Sequence, residues 1–174
     1  MAWTATEGSH MFREWPKSVM GHGQATAILP AGYAGLGADT VKVALYGNTG
    51  TPTENATLAH SGYNASGSQW VTANELTDTD GSSDWVAGGI ALGTKTLTVG
   101  TDYFQFDAAD TTHSNTATIT AAYGCLVYDD TITAGTGGVA DLGVTFHYFG
   151  GSQSVTAGTF SVIWHADGLF RITV

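Results

Sequence analysis

Val144-Thr-Phe-His-Tyr-Phe149, Gly150-Gly-Ser-Gln-Ser154 and Thr159-Phe-Ser-Val-Ile-Trp-His-Ala-Asp-Gly-Leu-Phe-Arg-Ile-Thr-Val174 make up the stretch whose reading decides the fold. Val144, Phe146 and Tyr148 alternate with Thr145, His147 and Phe149, close to the period of two that turns one face of a strand to a core. Phe160, Val162 and Trp164 share a face of the next run. Phe170, Ile172 and Val174 share a face of the last, with Leu169, Arg171 and Thr173 opposite. Asp167-Gly168 lies between these two runs, and its glycine supplies the positive φ that a tight hairpin turn requires. The pattern predicts an antiparallel meander.

Working outward, Val41-Lys-Val-Ala-Leu-Tyr46 reads as a strand. Thr96 to Val99 and Tyr103 to Asp107 read as a pair joined at Gly100-Thr-Asp102, with Phe104 and Phe106 pointing inward. Asn115 to Tyr128 is a longer β-prone run, with a bend expected near Ala121-Ala122. The polar, turn-rich segment from Gly47 to Gly67 suggests an exposed excursion. Few helices and many short strands predict an all-β chain, a single-domain antiparallel β-sandwich or jelly roll over residues 39–174. Residues 1–38 read as an extended N-terminal arm, with room for a short helix between Phe12 and Met20 despite Pro16.

Composition narrows the partners. Only 11% of residues are charged, against a usual share of about 25%, which points to a surface partly covered by neighbours. The net charge is −10, and the five cations (Arg13, Lys17, Lys42, Lys95, Arg171) are scattered singly, so no nucleic-acid partner is expected. No apolar run approaches the ~20 residues of a membrane span, so no membrane partner is expected either. The Met1-Ala-Trp-Thr-Ala-Thr-Glu7 start lacks the basic and apolar regions of a secretory signal. Cys125, the single cysteine, sits in an apolar run and reads as a buried thiol.

Three groups of residues invite a chemical reading. Asp78, Asp80 and Asp84 around Gly81 put three hard oxygen ligands on one turn, as calcium loops do. The spacing departs from the EF-hand, and a solvated polar loop is the plain alternative. Asp129 and Asp130 are strand neighbours, whose side chains point to opposite faces, so they predict turn capping rather than a catalytic pair. His147 and His165 would face each other if their strands pair. Without a nucleophile elbow, phosphate loop or dinucleotide fingerprint, the expectation is a non-enzyme without cofactors. Trp3 and Trp70 are the tryptophans expected at the surface; with Phe12 and Trp15 they are the candidate partner-binding residues.

The ordered set Asp39-Thr-Val-Lys-Val-Ala-Leu45, Trp70-Val-Thr-Ala-Asn-Glu-Leu76, Gly88-Gly-Ile-Ala-Leu92, Phe106-Asp-Ala-Ala-Asp110 and Ala117-Thr-Ile-Thr-Ala-Ala-Tyr-Gly-Cys-Leu-Val-Tyr-Asp-Asp130 precedes Phe149-Gly-Gly-Ser-Gln-Ser154 and Gly158-Thr-Phe-Ser-Val-Ile-Trp-His-Ala-Asp-Gly-Leu-Phe170. Over Val41 to Val174 this resembles a family of small virion structural proteins of tailed bacteriophages, either head decoration (cement) proteins or minor tail components. The resemblance implies no catalysis. It implies a virion location on the outer surface of the capsid, the major capsid protein as partner, and a homo-oligomer, a trimer if the protein sits on three-fold axes. The acid-rich composition suits that outward surface better than the DNA-facing lumen. The alternative is a minor tail protein with a carbohydrate-binding role in host attachment, using Trp70 and the 47–67 loop as its platform.

Overall fold

A computed structural model describes residues 3, 8–13, 15, 16, 32–79, 85–133 and 139–173. Its strands are β1 (His10–Met11), β2 (Val41–Tyr46), β3 (Glu75–Leu76), β4 (Ile90–Ala91), β5 (Thr96–Val99), β6 (Tyr103–Asp107), β7 (Thr111–Asp129), β8 (Leu142–Val162) and β9 (Phe170–Thr173). A single helical turn, α1 (Leu58–Ser61), and a 3-10 turn over Thr72–Asn74 interrupt them. One six-stranded sheet runs β1–β8–β7–β2–β3, with β4 also on β2; a three-stranded sheet runs β5–β6–β9. Every pairing is antiparallel, and the sheets pack as a sandwich.

The alternating residues of β2 explain its central place. Val41, Val43, Ala44, Leu45 and Tyr46 are buried, so both faces of the strand are covered and only Lys42 reaches partly out to water. Beside it, Phe146 of β8 collects an aromatic cluster, with Phe12, Trp70 and Trp3 at ring-centroid distances of 5.3, 5.8 and 6.2 Å. Tyr46 stands edge-on to Trp70 at 5.0 Å and donates its hydroxyl proton to the Trp70 carbonyl at 2.8 Å. Such pairs add about 0.5–1.5 kcal/mol each beyond area burial. Gly124 makes room for this cluster, because a Cβ there would overlap the Trp3 ring and the His147 carbonyl.

The expected C-terminal meander is corrected. Residues 142–162 form one long strand, since the chain bulges at Gly150 and Gly151 (φ +79° and +148°) instead of turning. The Asp167-Gly168 turn does form, with Gly168 at φ +75° and its N–H donating to the His165 carbonyl at 2.7 Å. That hairpin is a single bridge, His165 to Gly168. Leu169 N–H then bonds the Phe106 carbonyl at 2.9 Å, and β9 leaves to pair with β6. His147 and His165 are therefore not cross-strand partners. His147 instead lies opposite Cys125. The bend expected in β7 is present: Ala121 has φ +58°, and the ladder slips between Ile119 and Ala122.

The described part of residues 1–38 does not form a free arm. Main-chain pairing joins His10 and Met11 to Phe146 and Thr145, while Trp3, Phe12, Trp15 and Leu36 are buried. Leaving those rings in water would cost more than tying the segment down, since a buried aromatic side chain gains about 1.5–3 kcal/mol or more. Residues 17–31, which hold most of the expected helix and loop, lie outside the described residues. The Gly47 to Gly67 excursion folds back onto the sheet: Ser61 is buried, and the Tyr63 ring stacks on Tyr128 at 4.7 Å and 8°.

Candidate interaction surface

The three-stranded sheet is two-faced because its strands alternate. Val99 lies opposite Phe104, and Phe104 opposite Ile172; two residues along, Leu97 lies opposite Phe106, and Phe106 opposite Phe170. Directly opposed residues, and residues two apart, share a face, so these six side chains form one apolar face. The other face carries Thr98, Gln105 and Arg171, with the Arg171 guanidinium 3.8 Å from the centre of the Tyr103 ring.

The apolar face is only partly covered. Phe106 is fully buried, and Trp15 closes on Phe170 at 5.7 Å. On the edge strand β5, Val99 is 81% exposed and Leu97 46%, and Ile172 of β9 is 38% exposed. Exposed aliphatic side chains around the half-buried Phe104 make the kind of patch that marks a docking site.

A second concave feature lies along β8. A groove of about 560 Å³ is lined by Tyr148, Phe149, Gln153, Ser154, Val155 and Phe160, among others. None of its lining residues carries a formal charge.

Buried acids hold the loops around the sheet. Asp39 and Asp129 are 3% and 0% exposed. Asp39 accepts hydrogen bonds from Ala34 N–H and Gly35 N–H at 3.0 Å, and Asp129 Oδ1 accepts Thr131 N–H at 3.0 Å. Asp129 Oδ2 is buried with no donor of its own except the facing Asp39 carboxyl. Burial and the Asp39 charge push the Asp129 carboxyl up to about 7, so Asp129 keeps its proton up to near neutrality. At the opposite side of β2, Glu75 accepts the Tyr63 hydroxyl at 2.7 Å and Gly88 N–H at 3.0 Å. The Tyr128 hydroxyl donates to the Gly88 carbonyl at 2.5 Å. Burial raises the Glu75 carboxyl despite these donors. These groups serve as cross-links between loops and strands: the expectation of turn capping holds for Asp129, and its real partner is Asp39.

The structure redistributes the residues that the sequence singles out. Trp3, Phe12, Trp15 and Trp70 are 2%, 0%, 6% and 1% exposed, so they are not a partner-binding surface. No periodic strand surrounds them in sequence, which is why they read as surface groups; tertiary packing on Phe146 and Phe170 brings them in. Trp70 thereby also leaves the expected sugar platform. Of the candidate calcium loop, Asp78 is tied to β7, accepting Thr118 N–H at 2.9 Å, while Asp80 and Asp84 lie outside the described residues. Among the described residues no group of three or more His, Cys, Asp or Glu side chains is placed to hold a metal ion. The exposed aliphatic row is absent from the sequence-based candidates, although its signal is present: Leu97 and Val99 alternate with Thr96 and Thr98.

No protein-family model, curated protein or solved structure matches the chain.

Proposed function

We propose that this chain is a structural virion protein: a head decoration (cement) protein that docks on the outer surface of a tailed-phage capsid and stabilises it by binding the major capsid protein. The observation that carries this reading is the partly uncovered apolar face of the small sheet, where Leu97, Val99 and Ile172 stay exposed around Phe104 while Phe106 is buried. A rigid sheet presenting such a patch loses little conformational freedom on docking. Fully burying each aliphatic side chain is worth about 1.5–3 kcal/mol, and many copies around a shell add their contributions. The net charge of −10 keeps the remaining surface outward, away from packaged DNA. The resemblance of the ordered motifs to phage virion proteins supports the same reading.

The test is occupancy on heads stripped of this protein. Purified wild-type chain is expected to rebind pelleted heads to saturation, while Val99→Lys, which puts a charge at the most exposed position of the docking patch, lowers affinity at least tenfold. Equal binding by both, or no binding of wild type to intact accessible heads, would overturn the proposal. Immunogold labelling of whole particles separates it from the minor-tail, carbohydrate-binding alternative: label over the heads supports decoration, and label confined to the tail supports the other.

A further inference from the structure

The outer edge of β8 has an unusual combination of properties. β7 pairs with one side of β8 from Leu142 to Tyr148 and again from Gln153 to Val162, with register shifts. On the other side β1 pairs only with Thr145 and Phe146, and Ser9 Oγ accepts Tyr148 N–H at 2.9 Å. Beyond that point no described strand pairs with the outer edge. Ser152, Gln153, Ser154 and Thr156 are exposed there. Gln153, Ser154 and Val155 all line the 560 Å³ groove. Thr159, Phe160, Ser161, Val162 and Ile163 line it as well, so the groove follows β8 itself.

Charge identifies the occupant. No Asp, Glu, Lys or Arg occurs between Asp141 and Asp167, or between Asp110 and Asp129. Apart from the buried Asp129 at its end, the β7–β8 ribbon carries no acidic or basic side chain in a chain whose net charge is −10. Two copies repel each other wherever their acids approach within about 8 Å, the screening length in physiological salt. The ribbon is the surface on which they meet without that cost. It also lacks the lysines and prolines with which exposed edges avoid pairing. Bulges at Gly150–Gly151 and at Ala157 (φ +48°) bound the segment between them, and its ladder to β7 slips between Gln153 and Val155, so pairing is confined to one short stretch and does not run on into an open-ended sheet.

We propose that the outer edge of β8 between Ser152 and Thr156 is where two copies of this chain meet, by antiparallel strand pairing. This surface is separate from the capsid-facing row, and its test uses purified chain alone. Sedimentation equilibrium of the wild type should show reversible association in the micromolar range. Gln153→Lys and Thr156→Lys, each at an exposed position, should weaken it at least tenfold. Added lysine lowers the net negative charge, which by itself would favour association, so a loss is specific to the edge. Thr98→Lys, on the polar face of β5, should leave association unchanged. As a second readout, Ser154→Cys, at the centre of the antiparallel pairing and so opposite its own counterpart, should form a covalent dimer under mild copper–phenanthroline oxidation, with Cys125 buried and unable to compete. Wild type that stays monomeric at 100 μM (about tenfold above the range expected here), or association that survives both lysine variants with unchanged circular dichroism, would overturn the proposal.

Discussion

Replacing Asp129 by asparagine should abolish a specific part of the pH dependence of stability. Asp129 is fully buried against Asp39, with Tyr33 nearby and the Lys42–Asp130 ion pair (2.8 Å) on the neighbouring strand and turn. Burial, then the Asp39 charge, holds its carboxyl at about 7 instead of 3.8. Below pH 4 folded and unfolded chains both carry the proton, and the pair costs nothing. As pH rises the unfolded chain releases the proton while the folded chain keeps it, so stability falls until pH 7, where both are ionised. At about 1.36 kcal/mol per pH unit the loss across that window is roughly 4 kcal/mol. The amide introduced by Asp129→Asn would keep an oxygen for Thr131 N–H and offer an N–H to Asp39, without a titrating proton. Urea unfolding of wild type and D129N at half-unit intervals from pH 4 to 8 gives the difference curve. The variant should match wild type within about 1 kcal/mol at pH 4 and exceed it increasingly up to pH 7, then level off. His147, whose imidazole burial lowers to about 4, slopes the opposite way in both proteins and cancels in the difference. Two parallel curves would show that the buried Asp129 does not hold its proton, and the account of Asp129 would fail.

Two further outcomes follow from the packing. Trp70→Ala should cost about 3–5 kcal/mol in chemical denaturation, because it empties the centre of the cluster formed with Tyr46, Phe12, Trp3 and Phe146; a cost under about 1 kcal/mol would mean that the ring is at the surface after all. Cys125 is fully buried and its thiol is pushed up by desolvation, so a disulfide reagent should label it only at the rate of unfolding, whereas prompt labelling in native buffer would place it at the surface.

What the sequence determined by itself was local. The β-prone apolar run from Val41 to Tyr46 defines β2 to the residue, and Thr96 to Val99 with Tyr103 to Asp107 forms the expected pair, because strand preference is set by neighbouring side chains. Gly168 takes the positive φ that its turn demanded, and β7 bends at Ala121 where the run of small residues allowed it. The tertiary structure decided everything that depends on which distant element supplies a partner. Gly168 turned the chain, yet the final strand found its main-chain partners on β6, whose edge was free. Trp3, Phe12, Trp15 and Trp70 carry no periodic signature; they are buried because Phe146 and Phe170 offer them apolar surface contributed by the far end of the chain. Asp39 and Asp129 look like ordinary turn residues in sequence, and only β2 pairing with β7 brings their carboxyls together. The docking patch has the same origin: alternation puts Leu97 and Val99 on one face, but where the core ends, and so which part of that face stays in water, is fixed by the packing of Trp15 and Phe170.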